Sequence, residues 1–385
     1  MKQKLLITGL FVLLGLRAFA QNEVEHEPKF QPQSPQIMAQ GGSFTANAKG
    51  YNALFMNPAG FSAGLASLTI VGVNPWLYAF PDPETIDAIT VIVEDPAAGI
   101  GALNDILTSS GTGLGFQVGL GFVGGGFGLG MIIANDTYAE GPNTLGVRVD
   151  TGFTAAFIAG VSFPLTLGPF TLTPGASVRP MYRIRSYDVG ISDFVGLLAD
   201  GSPDSITADV LAGIGLGIDL GLNLDYGPLT VALAIRDFGG TKFEFGQLSF
   251  VEAFEGLQNG QLPEGTPVEG TDFVIPMSAH FGVQFHPDLG GLSFLIDPWV
   301  HAELTSTFNG EDSGSLWTNL RLGTEIRVLR FIRLRAGLNQ GYPTVGFGVK
   351  LLFLEAHLAY FGRELGTYPG ARPGQGVTAE VALRF

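Results

Sequence analysis

Three groups of residues in this chain have types and spacings that suggest chemistry. Gly119, Gly121 and Gly124 form a literal G-x-G-x-x-G, the pattern that lets a backbone approach a pyrophosphate where a helix begins. His301 and Glu303 share one face of an alternating segment, and Asp297 and His357 add two more groups that can ligate a metal. A mixed-sign series runs through Arg321, Glu325, Arg327, Arg333, Arg335, Lys350, Glu355, Glu380 and Arg384. No serine, histidine and acid stand in a pattern that marks a nucleophile, and the chain has no cysteine. Catalytic residues, a cofactor and an enzymatic activity are therefore not expected. What the other groups can do depends on the elements that carry them.

A dinucleotide fingerprint needs a buried apolar strand before it, a helix after it and an acid about 20 residues further on. Around Gly119 the sequence instead alternates. Leu114, Phe116, Val118, Leu120 and Phe122 oppose Gly113, Gly115, Gln117, Gly119 and Gly121, and after Val123-Gly124-Gly125 the alternation restarts with Phe127, Leu129, Met131 and Ile133. A period of two predicts two strands joined as a hairpin. The glycines then serve architecture rather than phosphate.

The ends and the composition place those strands. Lys2 and Lys4, an apolar run from Leu5 to Leu16 and Ala18-Phe19-Ala20 read as a secretory signal peptide over residues 1–20. The chain holds 35 acidic against 20 basic residues, and loss of Lys2, Lys4 and Arg17 takes the formal charge from −15 to −18, which argues against nucleic acid as a partner. Only 14% of residues are charged, mean hydropathy is +0.30 and 56 of 385 residues are glycine. Two windows, 106–135 and 151–178, carry no charge, but glycine costs about 1 kcal/mol per residue in a helix, and Pro164, Pro169 and Pro174 interrupt the second. A bilayer admits only helices or closed barrels. Alternating strands in a membrane imply a barrel.

Fourteen strands are predicted, near 65–80, 112–122, 126–138, 143–163, 169–186, 206–226, 228–238, 272–287, 291–306, 315–328, 331–339, 343–352, 354–363 and 376–385. Connections one, five, seven and thirteen are long and every even-numbered one is short, as expected when external loops are long, periplasmic turns short and both barrel ends periplasmic. Two external loops, 84–108 and 240–270, carry apolar spacing suited to short helices, at Ile86 to Leu107 and at Leu248 to Leu257. They would cap the rim or receive an apolar ligand. The last strand places Val377, Ala379, Val381, Leu383 and Phe385 on one face and Thr378, Glu380 and Arg384 on the other. Its aromatic end resembles the signal read by the outer-membrane assembly machinery, a predicted partner through Phe385. The expected fold is all-β: an antiparallel transmembrane barrel over residues 65–385, contacting outer-membrane lipid.

Residues 21–64 are too apolar for a linker. Phe44, Asn47, Tyr51, Leu54 and Phe55 lead into Asn57-Pro58-Ala59-Gly60, and Pro58 keeps Asn57 out of helical conformation. A compact apolar element tethered at the periplasmic end can plug a barrel. These residues resemble the FadL-type transporters of long-chain fatty acids and aromatic hydrocarbons, which carry an N-terminal hatch with an alanine-asparagine stretch and an N-P-A-G motif ahead of a fourteen-stranded barrel. Ala46-Asn47-Ala48, Tyr51-Asn52-Ala53 and Asn57-Pro58-Ala59-Gly60 match that pattern. The resemblance implies a hatch at 21–64 and passive passage of a hydrophobic small molecule. Related barrels with a hatch act instead as scaffolds that dock secreted or surface proteins.

Inward positions should form two walls. One is glycine, with Gly115 among its members, and the hatch is expected to lie against it because strand glycines admit close approach. The other is ionic, built from the mixed-sign series, Asp297, His301, Glu303 and His357. It is read as a salt-bridge ladder rather than a metal site.

Overall fold

The computed structural model describes residues 24–26, 33–79, 112–140, 148–190, 208–268, 272–308, 315–364, 368–370 and 373–385. The signal peptide and the loop at 84–108 lie outside the described residues. Fourteen antiparallel strands close into a barrel. They are β1 (Ser67–Ala79), β2 (Thr112–Gly124), β3 (Phe127–Glu140), β4 (Arg148–Ser162), β5 (Phe170–Gly190), β6 (Asp209–Tyr226) and β7 (Leu229–Arg236 continued by Thr241–Ser249). Next come β8 (Asp272–Ile275 continued by Ser278–Phe285), β9 (Ile296–Thr307), β10 (Leu320–Val328), β11 (Ile332–Asn339), β12 (Tyr342–Leu351), β13 (Leu354–Glu364) and β14 (Pro373–Arg384).

Alternation produces the barrel because one face of each strand meets lipid and the other meets the lumen. On β2, Leu114, Phe116, Val118, Leu120 and Phe122 are exposed on the outside, while Gly113, Gly115, Gln117, Gly119 and Gly121 are buried inside. β14 repeats the rule, with Val377 and Val381 outward and Thr378, Glu380 and Arg384 buried. Gly125 and Gly126 have φ of 61° and 85°, so the β2–β3 turn has two left-handed residues, a conformation that glycine adopts without a Cβ penalty.

Several borders differ from the sequence expectation for local reasons. Ser315 accepts a hydrogen bond from the Thr318 N–H and starts a helical turn, Leu316–Asn319, so β10 begins at Leu320 rather than 315. Leu316 and Trp317 therefore leave the alternating pattern. β9 starts at Ile296, after a 3-10 turn at Gly290–Phe294. β7 runs past 238 to Ser249, because a break at Asp237–Gly240 is crossed without reversing direction: both halves pair with β6. Arg179 donates to Asp219 (2.5 Å) and Asp237 (2.6 Å), the Asp237 N–H donates to Asp219 (2.9 Å), and Thr241 donates to Asp237 (2.7 Å). These bonds hold Asp237 at φ 51°. The apolar spacing at 248–257 becomes a nine-residue helix, α1 (Phe250–Gln258), capped by Ser249 and Glu252.

The barrel closes between β1 and β14. At that seam Leu68 and Phe385 exchange two backbone hydrogen bonds of 2.9 Å, and the Phe385 ring stacks on Phe353 at 5.4 Å. Deleting Phe385 removes both bonds and the stack. The expected result is a lower temperature for conversion from the fast, folded band to the slow, unfolded band on a detergent gel, together with reduced outer-membrane levels; an unchanged conversion temperature would mean that the terminal aromatic does not secure the seam.

Candidate functional site: a lumen filled by the N-terminal segment

Residues 33–63 occupy the interior of the barrel, and the exposed Gly64–Ala66 lead out to β1. The segment has two helical turns at Pro35–Met38 and Ala53–Met56 and two 3-10 turns at Gly50–Asn52 and Pro58–Ser62. It touches strands on opposite sides: Tyr51 and Leu54 lie over Gly119 and Gly130 on β2 and β3, while Ala39 and Ala46 lie over Gly346 and Gly282 on β12 and β8. Tyr51, Leu54, Phe55, Met56 and Phe61 form one core with inward residues of the wall, among them Ile132, Ile158 and Met181.

The glycine wall is divided by height. Its inner part receives the hatch: a Cβ on Gly175 would lie 2.5 Å from the Ala59 nitrogen, on Gly128 2.6 Å from the Phe61 ring and on Gly130 2.5 Å from Leu54. Its outer part does not. Gly115 is covered by Trp76, Gly113 by Tyr78, Gly215 by Phe243 and Gly213 by Phe245, so the hatch does not lie against Gly115 as the sequence suggested. Alternation gives the face a residue occupies but not its level along the strand.

Each predicted hatch residue has a definite position. The Phe44 and Thr45 N–H groups both donate to Glu303 Oε2 at 2.9 Å, and Glu303 Oε1 meets His280 Nδ1 at 3.0 Å. Asn47 is buried and donates its N–H to the Phe44 carbonyl. Tyr51 packs edge-on against Phe55, with the Arg384 guanidinium 5.3 Å from its ring. Asn57 is fully buried; its amide donates to the Thr45 carbonyl (3.0 Å) and Asn223 Oδ1 (2.8 Å), and its oxygen accepts from the Ala59 N–H (3.0 Å). Pro58 and Ala59 rest on Gly175 and Gly221, and Gly60 faces the Ala48 carbonyl so closely that no Cβ fits. Further bonds that the sequence did not point to join Thr344 to Ala39 and Gly41, Gln36 to Glu380 and Thr378 to Gln33. Threonine and glutamine on an inward face are too common for such pairs to show before the two segments are brought together.

The ionic wall forms a network. Arg335 donates to Glu325 (2.6 Å), Arg327 donates to Glu325 (2.7 Å), Lys350 meets Glu355 (2.7 Å), Arg333 meets Glu355 (3.7 Å), and Arg384 donates to Glu355 (3.1 Å) and to Glu380. Arg321 stands apart from this group and donates to Thr305. The four metal candidates do not converge. Asp297 pairs with His286, Glu303 with His280 and His357 with Glu355, while both ring nitrogens of the buried His301 have no hydrogen-bond partner. Among the described residues no group of three or more histidines and acids is placed to hold a metal.

On the outer side of the hatch the lumen is aromatic. Trp76 and Tyr78 donate to the two oxygens of Asp136 (2.7 and 2.9 Å), Tyr138 stacks on Tyr78 at 6.0 Å, and Arg363 lies 4.3 Å from the Tyr78 ring. Across the lumen Phe243 stacks on Phe245 at 5.3 Å, and Phe273 meets Phe245 edge-on at 5.0 Å.

Lipid-facing apolar strands, a closed ladder and an internally seated N-terminal segment define a membrane-spanning β-barrel of the bacterial outer-membrane type. Among solved structures the chain is similar to the P. putida toluene transporter TodX, at 13% identity over 90% of this chain and 97% of that chain, with a TM-score of 0.48. It is likewise similar to the Ralstonia pickettii toluene transporter TbuX (13% identity, 91% and 97%, TM-score 0.47) and to a Pseudomonas aeruginosa FadL homologue (12% identity, 95% and 99%, TM-score 0.47). No protein-family model and no curated protein sequence matches it.

Proposed function

We propose that this chain is a FadL-type outer-membrane transporter that lets hydrophobic small molecules, fatty-acid-like or aromatic, diffuse inward past the hatch. The observation that carries the reading is the hatch itself. Residues 33–63 fill the lumen and are held there by hydrogen bonds and packing, with no disulfide to fix them. A plug seated in this way can yield to a ligand that competes for its apolar contacts. The aromatic layer above it supports the same reading, because flat rings with few polar atoms favour apolar and aromatic ligands.

The test is uptake of labelled long-chain fatty acid and toluene by cells expressing the protein, compared with cells carrying empty vector. Faster uptake of at least one probe is expected. Trp76→Ala should slow uptake of the aromatic probe roughly tenfold, matching about 1.5 kcal/mol for a lost ring contact. Uptake indistinguishable from vector for every probe would overturn the reading, and copurification of a secreted protein with the barrel would then favour a scaffold role.

A further inference from the structure

The lipid-facing wall is uneven. Large apolar side chains stand outward along much of it, as Leu114 to Phe122 do on β2, but on β9, β10 and β11 three outward positions near one height are small: Ala302, Thr324 and Ala336. Thr324 pairs with Ala336 and lies diagonally beside Ala302, so the three form an oblique depression across neighbouring strands. Its volume is about 520 Å³, and Phe285, Val300, Leu322 and Leu338 form its rim. The Thr324 hydroxyl already donates to the Trp299 carbonyl at 2.9 Å, which leaves the surface apolar.

The two ends of these strands differ in charge. Below the depression the outward Ile326 and Leu334 are exposed and apolar, and the path ends at the β10–β11 turn. There Arg330 is exposed, lies 5.5 Å from the Phe294 ring and has no carboxylate partner among the described residues. Short turns are periplasmic in barrels of this type, so this cation stands at the inner face of the membrane. At the outer ends of the same strands, residues 304–308, 315–320 and 338–342 hold no charged side chain. Arg330 and Ala336 are six residues apart, about 20 Å along a strand and about 15 Å along the membrane normal at the tilt of such barrels. Half the hydrocarbon core is also about 15 Å thick. With Arg330 at the level of the inner headgroups, the depression lies at the bilayer midplane, where acyl chains end.

We infer that this strip of the outer wall binds one inner-leaflet phospholipid, its phosphate on Arg330 and one acyl chain running up β10 and β11 until its end fills the depression. A guanidinium suits the headgroup, because it meets a phosphate with two parallel charge-assisted hydrogen bonds. An acyl chain suits the depression, which is narrow and without a free donor. A second barrel does not suit it: eleven described residues line it, against roughly 20–30 a side in a stable protein interface. Lipopolysaccharide carries its phosphates in the other leaflet, where these strands end on uncharged residues. The site lies outside the lumen and stands whether or not the barrel passes a ligand.

The experiment is native mass spectrometry of the full-length, heat-modifiable protein released from dodecyl maltoside micelles that contain dipalmitoyl phosphatidylglycerol, dipalmitoylglycerol or lipid A. One phosphatidylglycerol per barrel should survive the activation that strips detergent, with a bound fraction at least fivefold above that of dipalmitoylglycerol. Ala336→Phe fills the depression, and Arg330→Gln leaves the wall untouched; each should lower the bound fraction at least fivefold. Ala356→Phe, at an exposed outward position on β13, should leave it unchanged. Equal retention of the three lipids, or retention unchanged in both of the first two variants, overturns the inference. A loss confined to one of those variants overturns the part assigned to the other residue. Preferential retention of lipid A overturns the choice of leaflet, and a dimer that Ala336→Phe abolishes would give this face to a second copy instead.

Discussion

Asn57→Ala is expected to unseat the hatch while leaving the barrel wall intact. The Asn57 side chain is fully buried and makes three hydrogen bonds, to the Thr45 carbonyl, to Asn223 and from the Ala59 N–H. Truncation leaves those partners in place with nothing to bond to, and each buried unsatisfied group costs about 1–3 kcal/mol. A total near 3 kcal/mol raises the unseated fraction on the order of a hundredfold. Pro58→Ala adds to this by freeing the first position of the turn that follows. The measurement is protease cleavage within residues 41–60 of folded, heat-modifiable barrel. Uptake should change in parallel, falling if the hatch shapes the ligand path and rising for all probes if it only obstructs. A double variant whose hatch becomes protease-accessible while uptake of every hydrophobic probe equals wild type would defeat the passage reading.

The second large effect distinguishes two levels of the glycine wall. At Gly175 an added Cβ would lie 2.5 Å from the Ala59 nitrogen and the Pro58 carbonyl carbon, and at Gly221 it would lie 2.8 Å from the Ala59 nitrogen. Both meet hatch backbone, which cannot rotate away as a side chain can. Overpacking of this kind costs about 1–3 kcal/mol where neighbours can adjust and more where they cannot, so Gly175→Leu and Gly221→Leu should expose the hatch to protease as Asn57→Ala does. At Gly115 the added atom meets the Asn135 carbonyl of β3 and, at 2.5 Å, the Trp76 ring, and none of its nearest neighbours belongs to the hatch. Gly115→Leu should therefore push Trp76 away from Asp136 and slow aromatic uptake while the hatch stays protected. Equal protease sensitivity in all three variants would show that the two levels are not separate.

The contrast marks what could be read from the sequence. Strand number and facing were legible because lipid and lumen impose opposite chemistries on alternate residues, as Leu114 to Phe122 show. The hatch was legible in its apolar content and in Asn57-Pro58-Ala59-Gly60. Level along the strand was not, because every inward glycine carries the same period. Gly115 and Gly175 differ only in whether a neighbouring strand's aromatic or the hatch fills the space above them. The break in β7 had a local signal in Asp237-Phe238-Gly239-Gly240, but a turn-forming run looks the same whether the chain reverses or continues. Here direction is kept by the pairing of both halves with β6 and by Arg179, which lies far away in sequence.

The seam between β1 and β14 also sets an order of events. The hatch is hydrogen-bonded or packed against β6, β8, β9, β12 and β14, so it touches most of the circumference, and the pairing that completes the ring joins the first strand to the last. Contacts this distant in sequence form late, since the entropy of closing the long loop must be overcome before they contribute. A segment synthesised before every strand, and held by contacts around most of the ring, reaches its seat most directly while the sheet is still open. A hatch seated before the ring closes would act during biogenesis as a former on which the wall is laid. Damage to their seating is then expected to appear first as slow maturation of newly made protein, and only afterwards as altered behaviour of the finished barrel.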